Sequence, residues 1–210
     1  MWTKNNRLSF EINPYINQIE DYIFLKPIGF ETTIRGAFPV WEYQQTNARL
    51  LGIDVQTHWD ITNQWQHSFS MAYENGKDTS KKEPLIDMPP LNLNNKISFS
   101  KKEWNQLILE LKSEIVLEQS QYPDNNFYTN IIENGEFESV LVDISTPPPA
   151  YHLLHFYSEM KFNTFKKTIT TVAFSVQNIF NVSYRDYLNR QRFFADEIGR
   201  SFQIQLKFNY

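Results

Sequence analysis

The chain has 210 residues, a net charge of −4 and no cysteine. Disulfides and cysteine-ligated zinc are therefore excluded, and the acidic balance gives no general electrostatic case for nucleic acid. Composition is 41% hydrophobic, 21% charged and 16% aromatic, which fits neither a disordered chain nor a helical membrane protein and suits a sheet.

The first alternating stretch sets Leu8, Phe10 and Ile12 against Arg7, Ser9 and Glu11. Period two marks a strand with different surroundings on its two faces. Phase is lost at Pro14, where a bulge or edge irregularity is expected, because proline cannot donate to a ladder. Alternation either resumes through Ile19, Asp21 and Ile23 or a second strand begins there. Lys26 to Pro39 holds Pro27, Gly29, Gly36 and Pro39 and reads as a loop. A long strand is predicted over roughly Glu42 to Trp59, with Leu51, Ile53, Val55, Thr57 and Trp59 opposite Gly52, Asp54, Gln56 and His58. Asp60 to Asn63 turns it, and Trp65 to Glu74 returns with Phe69, Met71 and Tyr73 on one face. Asn75 to Pro90 is a polar loop.

Leu91 to Lys102 is predicted as a strand and Lys101 to Asn105 holds a tight turn. In Gln106 to Gln119, Leu107, Leu109, Leu111, Ile115 and Leu117 oppose Glu110, Lys112, Glu114 and Glu118. Ser120 to Ala150 is a long connection. Within it, Asn134-Gly135 between residues 128–132 and 137–142 signals a hairpin. Tyr151 to Phe162 alternates Leu154, Phe156, Met160 and Phe162 with His155, Tyr157, Glu159 and Lys161. Asn163-Thr164 is the expected turn, and Thr168 to Asn178 returns. Val182 to Gly199 is a loop rich in arginine and aromatics. The final stretch alternates to its last residue, with Phe202, Ile204, Leu206, Phe208 and Tyr210 on one face.

The prediction is therefore about eight antiparallel strands joined alternately by long and short connections. Transmembrane barrels have that asymmetry and strands of about 9–11 residues or more, whereas soluble sandwiches use strands of about 5–6. Glu110, Lys112 and Glu114 suit a watery lumen. Trp41, Trp59, Trp65, Trp104, Tyr73, Tyr157 and Phe162 lie where girdle aromatics would sit. The fold class read from these features is all-β, an antiparallel transmembrane β-barrel. No run of about 18 apolar residues exists for a transmembrane helix. Met1 to Asn6 is followed by no apolar signal-peptide region, so the expectation is that the chain is the C-terminal part of a longer protein.

Asn178-Ile179-Phe180-Asn181, Tyr184-Arg185-Asp186-Tyr187-Leu188-Asn189-Arg190, Phe193-Phe194-Ala195-Asp196-Glu197 and Gly199-Arg200 precede the last strand. This segment resembles the C-terminal end of TonB-dependent outer-membrane receptors. Residues 42–55, with Ala48-Arg49-Leu50-Leu51-Gly52, are similar to a strand of the same barrels. Thr146-Pro147-Pro148-Pro149-Ala150-Tyr151 is similar to a third recurrent feature, which usually has glycine where Ala150 stands. The resemblance covers nearly the whole chain and implies a barrel of about 22 strands with a plug inside it. Residues 1–210 would supply about the last eight strands, with the plug, the TonB box and the remaining strands absent. The C-terminus and the turns near Asp60, Glu103 and Asn163 would then be periplasmic. Loops 26–40, 75–90, 120–150 and 182–198 would be extracellular.

No nucleophile–base signature and no phosphate loop is present, so no catalytic or cofactor-binding residue is assigned. His152 and His155 are three apart on a strand and face opposite ways, a poor metal pair, and no metal ligand is assigned. Glu110 and Glu114 share a face, but Lys112 between them favours an ion-pair row over paired catalytic carboxylates. Arg185, Arg190 and Arg192 are candidate ligand contacts. Ordinary pairing of these arginines and Arg200 with Asp186, Asp196 and Glu197 is the competing assignment. Phe202, Ile204, Leu206, Phe208 and Tyr210 are the candidate assembly strand.

The expected partners are outer-membrane lipid, the TonB complex through the missing N-terminal part, and a small-molecule or metal-chelate ligand; no nucleic acid is expected. The expected role is TonB-energised uptake across the outer membrane, for which this portion alone is not competent. The alternatives are a complete small outer-membrane barrel or a soluble β-sandwich binding module.

Overall fold

The computed structural model describes residues 2–4, 7–34, 36–133, 136–165 and 168–209. Its strands are β1 (Trp2–Lys4), β2 (Leu8–Thr33), β3 (Gly36–Asp60), β4 (Trp65–Asp78), β5 (Asn92–Lys101) and β6 (Leu107–Val116). They continue with β7 (Phe127–Glu133), β8 (Glu136–Val142), β9 (Tyr151–Phe165), β10 (Thr168–Gln177) and β11 (Ser201–Asn209). One antiparallel sheet has the order β1-β2-β3-β4-β5-β6-β9-β10-β11, and β7-β8 form a separate hairpin. Apart from short β1, eight long strands form an up-and-down wall, as the alternation predicts. The wall is open: among the described residues no ladder joins β11 to β1 or β2.

The register settles the two faces. Leu109 is opposite Phe99 and Ser158, and Leu111 is opposite Ile97 and Phe156. Phe202, Ile204, Leu206 and Phe208 are opposite Val176, Phe174, Val172 and Thr170. This apolar face continues through Met71, Val55 and Ile12. Ile12, Trp59, Leu111 and the four β11 residues are exposed in the chain alone. From Trp65 to Tyr73 the face rises about 21 Å, using ~3.4 Å per residue and a tilt of about 40°. That height matches the apolar band of a membrane barrel.

Several boundaries differ from the sequence-based expectation. Lys26 to Pro39 is ladder, not loop: Pro27 pairs with Trp41, Phe30 with Pro39 and Thr33 with Gly36. Beyond Ala48, β3 has lost β4 as a neighbour, so the two strands run on as a free ribbon whose open sides tolerate proline. The register shifts between Pro27 and Gly29, and Gly29 has φ +152°, a conformation that glycine supplies. No bulge occurs at Pro14, which stays in register with Ile53. The shift falls between Ile19 and Tyr22, where Asp21 has φ 57°. β4 runs four residues past Glu74 to Asp78. Asn163 and Thr164 lie within β9, which continues to Phe165. The 128–132/137–142 hairpin is present, while its Asn134-Gly135 turn lies outside the described residues, as does Tyr210 of the closing strand.

Candidate functional site: the wet face and the long-loop rim

The second face of the wall is polar. Lys96 Nζ lies 3.2 Å from Glu110 Oε1, which also accepts from Ser98 Oγ at 3.0 Å. Lys112 pairs with Glu114 at 2.7 Å, and Lys161 with Glu159 at 3.6 Å. The expected ion-pair row is therefore present, although each lysine is partly exposed, so each pair contributes only about 0–1 kcal/mol. What the row does is keep this face hydrated. A groove of about 570 Å³ runs along it, bordered by Glu11, Gln56, His58, Ser68 and Lys96. Tyr157, grouped above with the girdle, belongs here instead: its hydroxyl donates to Glu159 at 2.6 Å. His152 and His155 separate as their spacing predicts. His152 Nε2 contacts Ser113 Oγ at 2.8 Å on the apolar side, and His155 Nε2 stands 3.9 Å from Glu114 on the wet side.

At one rim the connections are short, 61–64 and 102–106. Trp65 packs at a tilt of 50° against Phe99 with centroids 4.9 Å apart, and Lys101 sits over the Trp104 ring at 4.0 Å. A cation over an indole at a sheet end suits a headgroup interface.

At the other rim the long connections fold together. Leu85 and Met88 of segment 79–91 bury against Ala48, with Tyr22 and Leu50 beside them. Burying Leu85 stabilises this cover by about 1.5–3 kcal/mol. Gly76 makes the close approach possible, since a Cβ there would lie 2.2 Å from Met88 Sδ. Gln119 Nε2 donates to the carbonyls of Met88 and Pro89 at 2.8 and 3.2 Å, which ties in the next connection. Phe30 of the β2–β3 ribbon meets Phe127, and Phe38 meets Phe194.

Segment 178–200 is braced rather than loose. Asn178, 2% exposed, exchanges two hydrogen bonds with the Val182 backbone. Of the candidate arginines, Arg192 is buried, 4.2 Å from the Tyr187 ring centroid, and donates to the Tyr187 carbonyl. Arg185 pairs with Asp196 at 2.6 Å and donates to the Arg192 carbonyl at 2.7 Å. Arg190 is different. It lies over Trp41 at 4.4 Å and 3.5 Å from Asp87, bridging the ribbon, segment 79–91 and its own segment with its side chain half exposed. Burial raises the Asp87 carboxyl above its ordinary pKa, partly offset by Arg190 and Arg192. Trp41 thus serves this cluster and not a membrane girdle. Sequence reasoning missed the roles of Trp41 and Asp87, whose contacts with Arg190 cross more than a hundred residues of chain and leave no local pattern, and of Tyr187, which Arg192 meets five residues on.

A wall with one polar and one apolar face, one short-turn rim and one rim of consolidated loops defines the class: an outer-membrane-type β-barrel sheet. The family model for the TonB dependent receptor-like β-barrel matches residues 2–179, and the chain belongs to that family. Barrels of this family are receptor and transport proteins of the outer membrane. No curated protein sequence matches the chain. Among solved structures it is similar to the copper transporter OprC, with TM-score 0.73, 16% identity, 99% of this chain and 29% of that one covered. It is also similar to the pyoverdine outer membrane receptor FpvA from Pseudomonas aeruginosa PAO1 bound to pyoverdine. There the TM-score is 0.58 and the identity 13%, with 99% and 28% covered. A third, FpvAI in complex with pyocin S2, has TM-score 0.56 and 14% identity, with 96% and 25% covered. The chain thus spans less than a third of the length of these structures, and at such identities the likeness concerns the fold.

Proposed function

We propose that residues 1–210 form the C-terminal part of the barrel wall of a receptor that takes up a scarce small molecule or metal chelate across the outer membrane. Energy would come from the inner membrane through TonB, by way of chain outside these residues. The observation that carries this reading is the open wall with one lipid-type and one wet face, whose long connections gather over the wet side. An eight-stranded arc with free edges cannot bound a pore, so uptake by this portion alone is not expected. The long-loop rim is assigned to the cell exterior and the C-terminus to the periplasm. Arg185 and Arg190 are equally exposed, but Arg185 is held by two short contacts within its own segment and Arg190 by one 3.5 Å contact to Asp87, so Arg190 is the one assigned to a ligand, while Arg185 and Arg192 hold their segment in place. The β11 row Phe202, Ile204, Leu206, Phe208 and Tyr210 is assigned to assembly, as the edge that must pair with another strand.

Two experiments on cells carrying the full receptor test this. Trypsin added to intact cells is expected to cut at the exposed Lys81 or Lys82, and cleavage only after outer-membrane rupture would reverse the sidedness. Uptake of radio-iron or radio-copper chelates from spent medium is expected to fall equally on deleting the receptor or TonB. Unchanged uptake in both strains would contradict the transport reading.

A further inference from the structure

The apolar face of β2, β3 and β4 ends in a row of charge. Gln18 is opposite Arg49, and Arg49 is opposite Lys77, so the three share one face across adjacent strands. That face is the lipid-type one, because it carries Leu51 and Ile53 on β3 and Tyr73 on β4 at even steps from them. Ala48 and Leu50 turn the other way and pack with Leu85 and Met88. At the rise and tilt used above, Lys77 stands about 10 Å beyond Tyr73 and about 31 Å above Trp65. The apolar band of a membrane barrel is about 25 Å tall, with headgroups just outside it. The row is therefore at headgroup height on the long-loop rim.

Two cations directly opposite one another on an antiparallel pair repel. Among the described residues no carboxylate, Glu20 and Asp21 at the β2 register shift included, lies within salt-bridge distance of Arg49 or Lys77. Asp78 is buried and accepts from the Ser80 and Lys81 amides. An anion from outside would turn the repulsion into two charge-assisted contacts. A phosphate group suits the row, with oxygens for the Arg49 fork, the Lys77 ammonium and the Gln18 amide. Directly below, Ile16, Leu51 and Tyr73 are exposed and would take hydrocarbon. Cations continuous with such a surface fit an amphiphile and not a free anion.

We infer that Gln18, Arg49 and Lys77 form a site for a phosphate of the phosphorylated glycolipid of the outer leaflet. The inference rests on the proposed sidedness, which puts the long-loop rim outside.

The test uses the full receptor in neutral detergent micelles. The probes are phosphorylated lipid A, dephosphorylated lipid A, phosphatidylglycerol and inorganic phosphate, with melting temperature and native mass spectrometry as readouts. Phosphorylated lipid A is expected to raise the melting temperature and to stay attached, and dephosphorylated lipid A and inorganic phosphate to do neither. Arg49→Gln and Lys77→Gln should each weaken lipid A binding about tenfold, the weight of one charge-assisted contact. Lys102→Gln, at the opposite rim, should leave it unchanged. Without lipid, each of the two row variants should melt no lower than wild type, because one charge of a repelling pair is gone. A lower lipid-free melting temperature would make the pair structural and overturn the site. Equal binding of the two forms of lipid A, or unweakened binding by the variants, would overturn it too. Equal stabilisation by inorganic phosphate would overturn the lipid as the source, and preference for phosphatidylglycerol would overturn the glycolipid. Trypsin separates the two levels. If the site fails while Lys81 or Lys82 is still cut in intact cells, the site alone is refuted. Preference for phosphatidylglycerol together with cleavage only after rupture refutes the sidedness as well.

Discussion

Tyr15 and Gly52 stand directly opposite one another on the wet face of β2 and β3, and the Tyr15 ring occupies the space a side chain at 52 would need. A Cβ on Gly52 would lie 2.3 Å from the ring. The glycine gives up side-chain packing on its own strand, and the neighbouring aromatic covers the backbone it leaves bare. β2 has β3 as its one described neighbour along most of its length, so this pair helps to pin the register of an edge strand.

Gly52→Ala is therefore expected to destabilise the assembled barrel by about 1–3 kcal/mol, the usual cost of overpacking. Adding Tyr15→Ala should recover part of that loss. Urea unfolding in detergent micelles, read as a double-mutant cycle, measures the coupling. Additive effects of the two changes would show that the ring does not depend on the glycine.

The two faces of β6 should respond oppositely to charge. Leu109→Arg places a cation on the lipid side and is expected to cost about 2–4 kcal/mol near the midplane. Glu110→Arg removes the contacts to Lys96 and Ser98 but stays hydrated, so about 1 kcal/mol is expected. Equal costs in a lipid-based folding assay would mean that the faces are misassigned.

Much of this was legible in the sequence, because period two survives wherever one face is apolar. Eight strands, both faces and the lumenal charges of β6 follow from alternation alone. What was not legible is the height of the β2–β3 ribbon. Pro27, Gly29 and Pro39 read as loop residues, and only the missing third strand beyond Ala48 explains why a ladder can hold them. The arginine cluster was visible as composition but not as structure. The alternation does not distinguish buried Arg192 from half-exposed Arg190, since that depends on Tyr187 of their own segment and on Trp41 and Asp87 arriving from two others.

Those two arginines give a further prediction. Arg192→Ala loses a buried guanidinium, its ring contacts and a backbone hydrogen bond, and should destabilise segment 178–200 by roughly 2–4 kcal/mol. Arg190→Ala should leave the segment's hydrogen-exchange protection nearly intact and weaken capture of the transported chelate. Loss of protection in both variants would make Arg190 a structural residue too.

Acid should loosen segment 178–200 at one point and not at another. The Ser183 hydroxyl, and then Arg185, hold the Asp196 carboxyl below its ordinary pKa. Its contribution is present above the ordinary carboxylate value of about 4 and is lost as the pH falls through the lower folded value. Asp87 has the opposite sign. Burial raises it, so its contribution is complete below about pH 4 and is lost as the pH rises through the raised folded value. Amide exchange at 183–197, corrected for intrinsic rates, should accelerate on acidification in the wild type. It should be pH-independent there in Asp196→Asn. An acid step that persists in Asp196→Asn would assign it elsewhere.

The central claim is that this sheet is a membrane-barrel wall, with lipid on one side and water on the other. The chain contains no cysteine, so single cysteines along β11 report on it directly, in the full receptor with any cysteine elsewhere replaced. With a small membrane-impermeant maleimide, Gln203→Cys, Gln205→Cys and Lys207→Cys are predicted to label, while Ile204→Cys, Leu206→Cys and Phe208→Cys are protected by lipid. Uniform labelling along 203–208, or the reverse alternation, would contradict the account.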